Sequence, residues 1–174
     1  MIFVTVGTHE QPFNRLVSYI DELKGAGTLR EDVFIQTGYS TYEPKYCRWS
    51  RLIPYEEMVK NVQEARIVIT HGGPASFIMP LQMGKTPIVV PRQSRFGEHV
   101  NDHQVAFAKA MDQRMGTIIP VFDIGKLKYI ISEYDSIVSG MRQNIQSNNS
   151  LFNTRIQEIA QGLLEEKREK EHTA

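Results

Sequence analysis

The chain has 174 residues with 20 Lys+Arg against 20 Asp+Glu, and this zero formal charge argues against nucleic acid as its main partner. Hydrophobic residues make up 41% and charged residues 23%, which rules out wholesale disorder and lets the chain bury a full core. The single cysteine, Cys47, excludes an internal disulfide and a thiol-only metal site, and it suits a reducing cytosol.

The start, MIFVTVGTHEQ, carries no basic leader, so no secretory signal is expected. No stretch approaches the ~20 apolar residues of a membrane span. Ile2 to Val6 predicts a buried strand. A helix is expected from about Gln11, with Phe13, Leu16, Val17, Ile20 and Leu23 on one face and Gly25 and Gly27 at its end. Val33 to Thr37 and Arg48 to Ile53 read as the next strands, and Tyr55 to Ala65 as a helix. Ile67 to Thr70 predicts a strand, Pro74 to Met83 a short helix that Pro80 should bend, and Pro87 to Val90 a strand. His99 to Met115 reads as a helix and Thr117 to Val121 as the last strand. Helices fill the rest, including one over about 151–170. Strands alternating with helices imply one α/β, Rossmann-like domain over 1–174, a mostly parallel sheet with helices on both faces. Ligands of such folds sit beyond the C-terminal ends of the strands, so the strand-to-helix loops carry the chemistry.

Three loops stand out. In Ile67-Val68-Ile69-Thr70-His71-Gly72-Gly73-Pro74-Ala75-Ser76 an apolar strand runs into two glycines and a proline at a helix start. Free amides at a helix N-terminus attract anions, glycines admit a ligand close to the backbone, and the Ser76 hydroxyl can add a donor. A diphosphate is the natural guest; the alternative is a tight turn with no ligand. The loop Val6-Gly7-Thr8-His9-Glu10-Gln11 shares that sheet end by topology. Gly7 and Thr8 can serve the same ligand, or Thr8 and Gln11 can form a helix capping box. The third loop runs from Pro91 to Gln104 and gathers carboxylates, amides and imidazoles suited to sugar hydroxyls. Its alternative reading is a polar lead into a helix capped by Asn101 or Asp102.

Other motifs fall away. Gly84-Lys85-Thr86 lacks the upstream glycine of a phosphate-binding P-loop (Met79 stands there) and leads into a strand. No GxGxxG is present, so no dinucleotide cofactor is expected. His99 and His103 are four apart without a third ligand, so no metal site is expected.

With VTVGTHEQPFNRL, THGGPASF and VPRQSRFGEHVNDHQ the chain resembles, from Ile2 to about Met115, the C-terminal, donor-binding half of GT-B glycosyltransferases of family 28. It is similar to the small catalytic subunits of two-part sugar transferases. One is the eukaryotic UDP-N-acetylglucosamine transferase of the dolichol pathway, and another is the bacterial capsule and exopolysaccharide type. The resemblance implies that Gly7, Thr8, His71, Gly72, Gly73 and Ser76 hold the diphosphate of a UDP-sugar, a co-substrate rather than a cofactor. It further implies a nucleobase site at Pro54 and Tyr55, with Met58 beneath. Glu98, Asp102 and Gln104 would hold sugar or ribose hydroxyls, Glu98 substituting for a family glutamate whose position is here Met79.

A GT-B enzyme closes two such domains around donor and acceptor, and this chain has room for one. A membrane-anchored partner subunit is therefore expected to supply the site for a lipid-linked saccharide. The chain would be cytoplasmic and recruited to the inner face of the membrane. His9 is the candidate base for the acceptor hydroxyl. The stripe Phe152, Ile156, Ile159 and Leu163 is a candidate docking face, and Lys45, Arg48, Arg51, Arg92 and Arg95 could face a lipid diphosphate. The competing expectation is a non-catalytic nucleotide-binding module that stabilises a partner transferase.

Overall fold

Apolar residues fill both faces of the central strands, as a sheet covered on each side requires. In the computed structural model, which describes residues 1–143, the strands are β1 (Ile2–Thr5), β2 (Val33–Gln36), β3 (Arg48–Ser50), β4 (Ile67–His71), β5 (Ile88–Val90) and β6 (Ile119–Pro120). The α-helices are α1 (Asn14–Gly25), α2 (Tyr55–Glu64), α3 (Pro74–Gln82), α4 (His103–Met115), α5 (Leu127–Ser132) and α6 (Tyr134–Gln143). Every strand pairing is parallel, in the order β3-β2-β1-β4-β5-β6. The expected α/β architecture is therefore the one adopted. The predicted helix at about 151–170 and its apolar stripe lie outside the described residues.

The period of two along each strand divides the core. Ile2, Val4 and Val6 from β1 and its exit, with Ile67 and Ile69 of β4, pack under α1, α5 and α6. Phe3 and Val68 point the other way, onto Val62 of α2, Met79 of α3 and Met83 just after it. Burying each of these large side chains is worth about 1.5–3 kcal/mol, which makes a one-residue slip in register prohibitive.

Several boundaries differ from expectation. α1 begins at Asn14 rather than Gln11, and the Thr8–Gln11 capping box does not form. The buried Phe13 holds the boundary instead, and its N–H donates to Ser40 Oγ at 3.2 Å. β3 stops at Ser50, whose Oγ donates to Leu52 O at 2.9 Å and closes a turn. α4 begins at His103 rather than His99, behind a 3-10 turn at Ser94–Phe96. Asp102 occupies its N-terminal boundary but caps the wrong partner for a helix start: its Oδ1 accepts from Ser94 N at 2.8 Å. α3 continues through the buried Pro80 to Gln82.

One buried carboxylate fastens the sheet edge. Asp21 of α1 accepts from Tyr42 Oη, Lys45 N, Tyr46 N and Cys47 N at 2.8–2.9 Å. That ties the segment leading into β3 to the back of α1. Beside it, burial and the Asp21 charge push the Cys47 thiol up to about 12. A thiol so protonated and enclosed is a poor nucleophile. Ellman's reagent at pH 8 should therefore label Cys47 only after denaturant is added; full labelling of the native protein within minutes would show the site to be open.

Candidate functional site

The strand order reverses between β1 and β4, so their C-terminal ends open the crevice where such folds take ligands. β1 delivers Gly7 and β4 delivers His71 to this point. Gly7 adopts φ +75°, a left-handed conformation that side chains rarely tolerate. Gln36, at the end of β2, holds it there. The Gln36 Oε1 accepts from Gly7 N at 3.1 Å, and its Nε2 donates to Gly7 O at 3.0 Å and to Arg51 O at 3.0 Å. Thr5 Oγ1 completes the group at 2.7 Å from Gln36 Oε1.

The His71 ring lies between two glycines. A Cβ on Gly7 would stand 2.5 Å from His71 Nε2, and a Cβ on Gly73 would overlap His71 Cε1. Both glycines are thus required by the imidazole itself, a tighter reason than room for a ligand. Gly73 N donates to His71 Nδ1 at 3.0 Å, so the neutral ring carries its proton on Nε2, beside Gly7. Burial, then the nearby Arg92 charge, push the His71 pKa down to about 4. At neutral pH His71 is an uncharged hydrogen-bond donor.

The N-terminus of α3 adds its dipole to this end, with Gly73 at the boundary and Pro74 at the first helical position. Ser76 Oγ turns inward, 2.6 Å from Gly73 O and 2.9 Å from His71 O, and stiffens the turn. Gly72 packs tightly: a Cβ there would meet Gln104 Cβ at 2.8 Å. Its N–H donates to Gln104 Oε1 at 3.0 Å. Thr8 is exposed at the mouth. His9 follows, half-buried, with its ring edge-on to His99 at 4.6 Å between centroids. Burial, His9 and Arg92 together lower the His99 pKa.

A model of the glycosyltransferase family 28 C-terminal domain matches residues 1–119, more than half of the chain. The chain belongs to that family. No curated protein matches it significantly. Two solved enzymes share the fold at low identity. The glycosyltransferase of kitacinnamycin is 18% identical with a TM-score of 0.56, over 82% of this chain and 38% of the enzyme. SnogD, a glycosyltransferase from Streptomyces nogalater, is 14% identical with a TM-score of 0.51, over 91% of this chain and 43% of the enzyme. The chain thus spans about two fifths of the length of either enzyme.

Within this family frame the remaining candidate residues sort clearly. Pro54 and Tyr55 are exposed at the N-terminus of α2, after β3. Two strand spacings separate β3 from β1, about 10 Å, and both strands end on the ligand side. Met58 is half-buried on the inner face of α2. Asp102 is exposed, with the Ser94 amide holding its carboxyl below the usual range. Glu98 and Gln104 are both buried and engaged. Glu98 grips Arg15 through two bonds of 2.7 and 2.8 Å and accepts from Gln93 N at 3.0 Å. Gln104 Oε1 accepts from Gly72 N and Arg92 N, which stitches the β4 and β5 exits together. These two side chains build the loop rather than project from it.

Arg92 overturns an expectation. By sequence it reads as one of the cations that could face a lipid, yet it is fully buried. Lys45, Arg48, Arg51 and Arg95 are exposed. Gln36 and Arg15 escaped the sequence reading altogether. The available signal for Gln36 was a polar residue closing an apolar strand run. Among the described residues no His/Cys/Asp/Glu group could hold a metal, and no helix is long and apolar enough to cross a membrane.

Proposed function

We propose that the chain is the donor-binding, catalytic part of an inverting hexosyltransferase that takes a UDP-sugar. The observation that carries this reading is the switch-point crevice, where the neutral Nε2–H of His71, the Gly7 loop and the N-terminus of α3 converge in a family 28 domain. The diphosphate would lie along Gly7, Thr8, His71, Gly72, Gly73 and Ser76, and the uracil toward Pro54 and Tyr55. Sugar hydroxyls would meet Asp102 and the outer face of the loop that Glu98 and Gln104 support. The acceptor oxygen would attack the anomeric carbon, the bond to the β-phosphate oxygen would break, and the hydroxyl proton would pass to a base. Donors near the diphosphate stabilise the departing charge.

In this reading the acceptor side lies outside this domain, because one domain alone leaves the acceptor hydroxyl unaligned with the anomeric carbon. We assign it to a membrane-anchored partner presenting a polyprenyl-diphosphate-linked saccharide, as in capsule or exopolysaccharide synthesis, with this chain recruited to the cytoplasmic face. His9 is the base in this scheme. The engagement of Glu98 and Gln104 favours one rival: a module that binds nucleotide and only stabilises its partner.

Calorimetry and turnover assays separate the two. UDP should bind about tenfold more tightly than UMP, a difference of about 1.4 kcal/mol. Sugar transfer should require the partner, and His9→Gln should lower kcat by about 10²-fold or more with UDP affinity unchanged. Equal affinity for UDP and UMP would remove the diphosphate site. UDP binding without turnover in the assembled complex would favour the module, and full turnover in His9→Gln would move the base to the partner.

A further inference from the structure

Arg92 is the largest of the fully buried side chains, and among the described residues no carboxylate pairs with it directly. Its guanidinium donates to backbone carbonyls only: Gln11 O at 2.7 Å, Val6 O at 2.9 Å and Glu98 O at 3.1 Å. Its Nε finds no hydrogen-bond partner among the described residues. The ring of Phe13 lies 4.8 Å beneath. The nearest acid, Glu98, has its carboxylate bound by Arg15 and Gln93 N. A desolvated charge bonded only to backbone carbonyls, with the nearby Glu98 carboxylate already shared with Arg15, is costly, and stability by itself gives little reason to keep it.

Its position gives one. Val6 and Gln11 bracket the loop that carries Gly7, Thr8 and His9, and Glu98 begins the segment that carries His99 and Asp102. One cation therefore fixes both walls of the crevice. Buried away from water, its field is weakly screened. We infer that Arg92 is a positioning residue of the ligand site: it sets the loop after β1 and supplies, from behind the protein surface, a positive field that favours a bound diphosphate without touching it. The inference rests on the diphosphate reading above, but part of it is testable without any ligand.

That part concerns His71. The charged and titratable groups around its ring are Arg92, His9 and His99, with Gln104 also beside it. Burial holds Arg92 itself down to about 10, so it stays charged at neutral pH. Removing that charge in Arg92→Met should ease protonation of His71, and the charge-keeping Arg92→Lys should leave it near wild type, whereas a loosened brace would admit water and ease it in both variants.

The experiment compares the full chain with Arg92→Met and Arg92→Lys, using circular dichroism to establish that each is folded. Imidazole nitrogen NMR should show the wild-type His71 neutral and protonated on Nε2 from pH 5 to 8, and Arg92→Met should titrate at clearly higher pH. Calorimetry should show UDP affinity falling about tenfold or more in Arg92→Met, uridine affinity unchanged, and partial recovery of UDP binding in Arg92→Lys. An unmoved His71 titration in folded Arg92→Met overturns the inference, whether or not UDP binds. Equal losses for UDP and uridine, with no recovery in Arg92→Lys, also overturn it by reducing Arg92 to a structural brace. A wild-type chain that ignores UDP defeats the diphosphate reading, and the NMR comparison then judges the charge by itself. If Arg92→Met does not fold, the milder Arg92→Lys decides: it keeps the charge, so UDP binding must survive at reduced strength.

Discussion

Gly7→Ala should be the most damaging small substitution in the molecule for ligand binding. Two penalties combine at this position. The backbone sits at φ +75°, where a non-glycine residue costs of order 1–3 kcal/mol. The new methyl would also stand 2.5 Å from His71 Nε2, the atom that carries the donor proton. The ring cannot retreat easily, because Gly73 N holds its other nitrogen and Gly73 closes the far side. The expected result is a loss of about 2 kcal/mol or more in urea-unfolding stability, with UDP binding too weak for calorimetry. Gly73→Ala separates the causes. Its φ is an ordinary −72°, so it suffers only the steric overlap with His71. Adding His71→Ala should return part of the lost stability to either glycine variant, a coupling that double-mutant cycles measure. Wild-type UDP affinity and stability in Gly7→Ala would mean that the imidazole does not rest against this loop.

Asp21→Ala should have the largest effect on stability, about 3 kcal/mol or more, since it leaves three amides and a half-buried hydroxyl without their charged acceptor. The pH dependence follows from the same bonds. Burial alone would raise the Asp21 pKa, but the amides of Lys45, Tyr46 and Cys47 and the Tyr42 hydroxyl outweigh it and hold the group below its ordinary value. A lowered folded-state pKa contributes stability that is fully present above the unfolded value, near 4. That contribution is lost as pH falls through the folded value. Wild-type stability should therefore drop below about pH 4, and that acid limb should flatten in Asp21→Ala. Amide hydrogen exchange should quicken at Arg48–Ser50, because the tether runs directly into β3. An unchanged acid limb, or unchanged protection of β3, would show that Asp21 does not fasten this edge.

The two predictions concern residues of very different legibility. Gly7, His71 and Gly73 announce themselves, because a glycine after an apolar strand has few uses besides a tight turn or a close approach. Their partnership with each other does not, since β1 and β4 are joined only when the sheet forms. The central strands β1, β4 and β5 are readable for the same reason that they are buried: parallel strands covered on both faces read as short continuous apolar runs. Helix starts were less readable. Gln11 and His99 look like helix entrances by local chemistry, yet Arg92 holds Gln11 O and Glu98 O in loop geometry just before Asn14 and His103 take over.

What the amino-acid order determined alone is the fold class and the glycine–histidine turn after an apolar strand, because these depend on residue type and period over a few neighbours. What tertiary structure alone decided is which polar groups are free. Glu98 and Gln104 read as sugar ligands in the chain and are buried and hydrogen-bonded within the fold, while Arg92 looks like a surface cation and lies in the core. A side chain's solvation and hydrogen-bond partners are set by what packs against it. For Arg92 one of those partners, Val6, is 86 positions away, beyond the reach of any local pattern.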